Sequence, residues 1–139
     1  MWGSSDSTKA KAVGAEASLA RGVTDGWYNN EIELFPSSDY GKGSPDMSNF
    51  SDWGHYSQMI WKGTQQVGCA THFCAPGTMN SMGSWYTVCN YYPGGMSPTL
   101  FATYSRSFTN PHRLGNMGGA YGKNVFPPQG QPIIKAAQA

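Results

Sequence analysis

The stretch "GHYSQMIWKGTQQVGCA", residues 54–70, passes from a helical pattern into a strand pattern. A residue able to cap a helix stands just before it, at Ser51 or Asp52. The spacing of the apolar residues predicts a helix from Trp53 to Lys62. His55, one of three histidines, lies in the first turn of that helix. The stretch therefore predicts a helix that carries a histidine near its start and leads directly into a sheet.

A β-hairpin is predicted next. The segment "QVGCATHFC" (66–74) alternates loosely, and "WYTVCNYY" (85–92) is rich in aromatic and β-branched residues. The connection "APGTMNSMG" (75–83) carries the residues that form turns. We therefore expect two strands joined by a loop.

On the N-terminal side, a helical pattern spans residues 4–34, and a serine or aspartate within 4–6 can cap its start. Gly22 and Gly26 weaken the pattern, so two shorter helices are the alternative to one long helix. Residues 36–50 read as a turn-rich loop that begins with a proline.

The C-terminal third has weaker patterns. Residues 96–114 fit neither the helical nor the strand period, and 115–128 predict Gly-rich coil with one short strand. Residues 129–139 predict a flexible tail. The 139 residues fit one domain, which we place at 1–128.

The composition excludes several classes of function. Only 12% of the residues are charged and the net charge is +1, which argues against a nucleic acid or an acidic membrane as partner. No apolar run is long enough to span a membrane, and no apolar segment typical of a signal peptide follows Met1. Low charge and abundant Asn, Ser, Gly and Tyr indicate a secreted protein, in which three cysteines are an unusual, odd number.

Glu31 and His55 are the candidate functional residues. Each lies on a predicted helix beside aromatic residues, so together they could flank a cleft. Such a pair can bind a divalent metal or do acid–base chemistry. The alternative is that His55 packs at the helix start while Glu31 is solvated. Spacing alone leaves these alternatives open.

Four segments resemble the CAP superfamily of cysteine-rich secretory, antigen 5 and pathogenesis-related class 1 proteins. Residues 54–70 closely resemble its first signature, and "YTVCNYYPG" (86–94) resembles its second. "WYNNEI" (27–32) resembles the helix that supplies an acidic residue to the family's cleft. "GAYGKNV" (119–125) resembles the C-terminal region in the form that fungal members use.

The resemblance implies a secreted α+β protein, a three-layer α-β-α sandwich. It also implies a surface cleft in which two His and two Glu can take a divalent ion. His55 matches one of those four positions. Glu31 matches a second, although the family usually places this glutamate one residue earlier, where the chain has Asn30. Residues i+3 and i+4 share a helix face, so the carboxylate can still reach the cleft. The other His and Glu have no match, so the chain resembles a family member incomplete at its N-terminus.

The resemblance also bears on the cysteines and on an unusual insert. In the family, the cysteines that match Cys69 and Cys89 form a disulfide. The cysteine that matches Cys74 commonly pairs with one in the part that has no counterpart here, so Cys74 is expected to be unpaired.

Residues 95–114 interrupt the second signature, whose "GN" returns only at 115–116. We hypothesise that 95–114 is a retained intron.

Three classes of function remain. The first is a secreted, non-enzymatic module that binds a small lipid or sterol and has a His/Glu cleft able to hold Zn²⁺ or another divalent cation weakly. The second is an extracellular signalling or defence-related protein. The third is a metal-dependent hydrolase. The missing His and Glu disfavour it, and no Ser, Cys or Asp stands beside His55 in a recognisable triad, although Ser57 is close in sequence. We rank binding first. The patterns do not indicate an oligomeric state.

Overall fold

The chain folds into helices and a three-stranded antiparallel sheet, which makes it an α+β protein. The computed structural model describes residues 2–4, 6–43, 45–93, 116 and 120–130. In chain order the elements are β1 (Trp2–Ser4), α1 (Ser7–Ala12), α2 (Ala15–Ala20), a π-helical segment (Arg21–Asn29), 3₁₀ turns (Ser37–Asp39 and Met47–Asn49), α3 (Phe50–Met59), β2 (Gln66–Cys74), β3 (Gly83–Tyr92) and α4 (Tyr121–Asn124). No helix among these is long and apolar enough to cross a bilayer.

The sheet has the strand order β1-β3-β2. The β2–β3 hairpin agrees with the prediction, and its register pairs Cys69 with Cys89 and Phe73 with Trp85. The third strand, β1, was not predicted. It pairs Trp2 with Trp85 and Ser4 with Gly83, and three residues are too few to show a strand period.

One face of the sheet is covered by α1 and α2. The indole Nε1 of Trp85 donates a hydrogen bond to the Ala10 carbonyl at 2.8 Å, which holds α1 on the sheet. Ala10 is fully buried at this contact. The opposite face carries the exposed side chains of Tyr86, Val88 and Tyr92, as the two-residue period of a strand requires.

The predicted helix over residues 4–34 is broken into three parts. Asp6 caps α1, and its Oδ1 accepts hydrogen bonds from the backbone N–H groups of Thr8 and Lys9 at 3.1 Å. The break between α1 and α2 comes at Gly14 (φ +81°), a conformation that favours glycine. The expected weak points, Gly22 and Gly26, lie instead within the π-helical segment.

A hydrophobic core made mostly of aromatic side chains packs around α3. Its buried members are Phe35, Trp53, Tyr56, Trp61, Tyr121 and Val125. The rings meet edge to face: Phe35 and Tyr121 each contact Trp53, with ring centroids 5.1 and 5.9 Å away. This core fixes α3 against the end of the π-helical segment.

The short strand expected within 115–128 is absent from the described residues, where that region instead forms α4. Its last residue, Asn124, accepts hydrogen bonds from the backbone N–H groups of Lys62 and Gly63, each at 3.0 Å. The Val125 carbonyl accepts one from Gly41 N–H at 2.9 Å. A helix of four residues held by such distant contacts leaves no periodic signal.

Gln58 connects the two ends of the second signature. Its Oε1 accepts a hydrogen bond from Asn116 N–H at 2.9 Å, and its Nε2 donates to Thr64 Oγ1 at 3.3 Å. The Thr64 hydroxyl in turn donates to the Pro93 carbonyl at 3.1 Å. Pro93 and Asn116 are thus held by one polar network. The insert at 95–114 and residues 131–139 of the expected tail lie outside the described residues.

We predict that deleting 95–114, which joins Gly94 to Gly115, leaves the fold intact. Because closing a shorter loop costs less entropy, the free energy of unfolding should be unchanged or raised by about 1–2 kcal/mol. Urea unfolding followed by circular dichroism measures it.

The matched comparison is Asn116→Ala in the full chain. It removes the side-chain donor to the Gly54 carbonyl (2.6 Å) and to the Ser57 hydroxyl. We expect a loss of about 1–3 kcal/mol. A deletion variant that does not fold would show that 95–114 belongs to the domain.

Candidate functional site

The site is built where the π-helical segment and α3 meet. The segment supplies Trp27, the turn after it supplies Glu31, and α3 supplies His55. The aromatic side chains of Tyr56 and Phe35, which are buried in the core, hold these elements together. The structure therefore brings the two candidate residues, 24 positions apart in sequence, into direct contact.

Glu31 is a buried carboxylate with both oxygens occupied. Oε1 lies 2.7 Å from His55 Nδ1, and Oε2 accepts the backbone N–H of Tyr56 at 2.9 Å. The Glu31 side chain is only 10% exposed. A buried carboxylate is stabilised by such charge-assisted partners, so this geometry fits an orienting role for Glu31.

Trp27 holds the other side of the imidazole. Its ring stacks on that of His55 with centroids 4.8 Å apart and planes 3° from parallel. The hydrogen bond to Glu31 fixes the rotation of the His55 ring, and the indole fixes its plane. The sequence placed Trp27 only as a neighbour of Glu31, because stacking needs a backbone geometry that a motif does not give.

The pairing with Glu31 determines which ring nitrogen of His55 is available. An ionised carboxylate only accepts hydrogen bonds, so Nδ1 must carry the proton. The neutral ring then presents Nε2 as an acceptor, and the described residues provide no hydrogen-bond partner for it. The His55 side chain is 55% exposed. An outward-facing Nε2 on an oriented imidazole is a typical metal ligand.

The π-helical segment explains the one-residue displacement of the glutamate. The Asn30 N–H bonds to the Asp25 carbonyl at 3.0 Å, a spacing of five residues instead of four. A π turn accommodates one additional residue, so Glu31 takes the inward position while Asn30 is exposed.

The immediate neighbours of His55 are unsuited to covalent catalysis. Ser57 is fully buried, and its hydroxyl is bonded to the Gly54 carbonyl and Asn116. Burial, followed by the hydrogen bond that the Tyr56 hydroxyl donates to Tyr40, raises the pKa of Tyr56 far above its ordinary value. Neither side chain is a ready nucleophile or base at neutral pH.

The described residues do not form a metal site by themselves. Within the described ranges, no group of three or more His, Cys, Asp or Glu is arranged to hold a metal ion. His55 Nε2 is the ligand that this geometry offers. Of the other histidines, His72 is exposed on β2, and His112 lies outside the described residues.

The cysteines are arranged as the resemblance implied. Cys69 and Cys89 form a disulfide across the β2–β3 pair, with Cα atoms 4.1 Å apart. Cys74 is free, and its Sγ lies 3.7 Å from Met79 Sδ. The disulfide joins two neighbouring strands of the sheet that supports α1 and α2.

Comparison with known proteins agrees with this arrangement. The sequence model described as "CAP: Cysteine-rich secretory protein family" matches residues 2–91, more than half of the chain. The chain belongs to this family. The matched range includes Glu31 and His55, so the paired site is part of the CAP region. No solved structure gives a significant match.

The similar curated proteins include several from fungi and from insects. The chain is 40% identical over 114 residues to a "Probable pathogenesis-related protein" of Arthroderma benhamiae, which covers 81% of this chain and 29% of the relative. It is 45% identical over 58 residues to "Fruiting body protein SC7" of Schizophyllum commune, an alignment that covers 37% of this chain and 28% of the relative. It is 38% identical over 68 residues to "Venom allergen 5" of Polistes fuscatus, an alignment that covers 49% of this chain and 30% of the relative. The chain thus spans less than a third of the length of each of these relatives.

We predict that Glu31→Ala lowers the free energy of unfolding by about 1–3 kcal/mol, because it leaves the buried Tyr56 N–H without its acceptor. Asn30→Ala is the matched control at the neighbouring, exposed position, and it should stay within about 0.5 kcal/mol of the parent. Urea unfolding measures both. Equal losses in the two variants, or a larger loss at Asn30, would contradict the assignment of Glu31.

Proposed function

We propose that this CAP chain is part of a secreted, non-enzymatic binding protein that takes a small lipid or sterol and has a cleft for a divalent cation. The observation that carries the proposal is the His55 ring, held by Glu31 and Trp27 with Nε2 outward. This arrangement orients a ligand atom and places no free nucleophile beside it among the described residues.

The metal part of the proposal follows from the donor set. His55 Nε2 is the direct ligand, and Glu31 sets the tautomer and the ring orientation through Nδ1. Structural Zn²⁺ sites use four protein ligands and catalytic sites usually three. Since the described residues offer no such group, the chain alone should bind Zn²⁺ weakly. Tighter binding would need ligands from further parts of a longer protein.

The lipid part rests on an apolar groove of about 390 Å³ between α1 and the end of β2. This volume lies in the lower part of the range of small-molecule sites, about 300–1,000 Å³. Phe73, Ala75 and Pro76 supply apolar surface on the sheet side of the groove. A small apolar ligand fits this surface, whereas a nucleic acid would need a clustered basic one.

We further propose the three-layer sandwich for the complete protein. The described helices α1 and α2 cover one sheet face, while Tyr86, Val88 and Tyr92 stay exposed on the other. A second helical layer over these side chains would bury apolar surface that a folded domain normally covers.

Secretion is supported by the disulfide between Cys69 and Cys89, because disulfides persist in oxidising compartments. A defence-related role is the second candidate, since the relative from Arthroderma benhamiae is named a probable pathogenesis-related protein. A metal-dependent hydrolase ranks last because the described residues hold no group of three or more side chains that could ligate a catalytic metal.

Calorimetric titration of the chain with Zn²⁺ tests the metal site. We expect weak binding that His55→Ala abolishes and that Glu31→Gln weakens by about 10- to 100-fold, as is usual when a residue that orients a ligand is replaced.

His72→Ala is the matched control, since it removes an exposed imidazole on β2 without touching the site. It should leave the affinity unchanged. Equal affinities in the parent and the His55→Ala variant, or a parent that does not bind Zn²⁺, would overturn the metal proposal and leave His55 as a packing residue.

A further inference from the structure

An acceptor motif for an N-linked sugar, Asn49-Phe50-Ser51, stands where α3 begins. The motif is an Asn followed two positions later by Ser or Thr, with any residue except Pro between, and it is used on the surface of secreted proteins. None of the other asparagines in the sequence has a Ser or Thr two positions on. A three-residue motif often occurs by chance, so the position of Asn49 in the fold decides whether it can carry a sugar.

The side chain of Asn49 is exposed and is not used by the fold. Asn49 is the last residue of the 3₁₀ turn Met47–Asn49 and directly precedes α3. Asn is a preferred helix-capping residue, yet this side chain makes no hydrogen bond to the backbone of α3. By contrast, the side-chain amides of Asn80, Asn116 and Asn124 donate hydrogen bonds within the fold. A bulky group on Asn49 therefore displaces no contact that holds the helix.

The middle residue of the motif anchors it to the core. The Phe50 ring is half-buried and meets the Trp53 ring edge to face, with centroids 5.2 Å apart. Gly54 leaves room for this ring, because a Cβ there would lie 2.9 Å from Phe50 Cζ. Ser51, the third residue of the motif, is exposed. With Phe50 packed on the core, Asn49 and Ser51 stay at the surface of the folded chain.

We propose that Asn49 carries an N-linked oligosaccharide. The donor is a lipid-diphosphate-linked oligosaccharide of the secretory pathway. The bond from C1 of its first N-acetylglucosamine to the diphosphate breaks, and a bond from C1 to Asn49 Nδ2 forms. Nδ2 loses one proton, and the lipid diphosphate leaves. The inference rests on the proposed secretion of the chain, which the Cys69–Cys89 disulfide supports.

The test expresses the full chain behind a secretion signal in yeast and compares its intact mass before and after treatment with peptide-N-glycosidase F. We expect the parent chain to lose the mass of one oligosaccharide. Peptide mass spectrometry should locate the resulting Asn-to-Asp conversion at position 49. Asn49→Gln and Ser51→Ala should abolish the loss of mass, whereas Ser51→Thr keeps the motif and should retain it.

Ser48→Ala is the matched control for Ser51→Ala, since Ser48 is also an exposed serine close to Asn49 but lies outside the motif. Asn30→Gln is the control for Asn49→Gln, because Asn30 is exposed and has no Ser or Thr two positions on. Both controls should keep the sugar. All these variants replace exposed side chains, so circular dichroism should show the helix content of the parent chain.

The outcomes separate the sugar from the proposed secretion. A parent chain that is secreted with the Cys69–Cys89 disulfide formed, but that loses no mass, would refute the sugar and preserve the secreted function. A loss of mass that persists in Ser51→Ala would refute the assignment to Asn49. A chain in which neither the sugar nor the disulfide forms would contradict both proposals.

Discussion

The Glu31 carboxylate is the constraint on which the site and the core around α3 depend. One oxygen meets the His55 ring and the other meets the backbone of the next residue, Tyr56. A buried charge without these partners would cost several kcal/mol. The turn that carries Glu31 must therefore keep its position relative to His55 and Tyr56 of α3. This arrangement also places Tyr28 against Tyr56, with ring centroids 5.6 Å apart, at the edge of the aromatic core.

The same contact connects fold and function. An apolar side chain at position 31 could still fill the space that Glu31 occupies. It could not accept the hydrogen bond from His55 Nδ1, so the imidazole would be free to rotate. Here the Glu31 hydrogen bond and the Trp27 stack define the direction of His55 Nε2 before any ligand arrives. Preorganisation of this kind supports binding of a cation. The buried, bonded Ser57 hydroxyl gives no corresponding support to hydrolysis.

The parts of the fold that could be predicted from sequence have long, regular patterns. The boundaries of β2 were predicted correctly, because its alternation ends at residues that form turns. The missed elements, β1 and α4, have three and four residues and depend on distant partners. The π turn was also missed, since apolar spacing distinguishes only helix from strand. In the site, a motif located His55 and Glu31, whereas the stacking of Trp27 on His55 required coordinates.

The tautomer of His55 tests the central claim most directly. Long-range ¹H–¹⁵N NMR spectra of the chain, recorded at a pH where the imidazole is neutral, distinguish the protonated ring nitrogen from the unprotonated one. The account predicts the Nδ1–H tautomer for His55, with Nε2 unprotonated, and the ring losing this preference in Glu31→Ala. An Nε2–H tautomer in the parent chain would contradict it, because Glu31 would then not orient the ring and Nε2 would not be a free ligand.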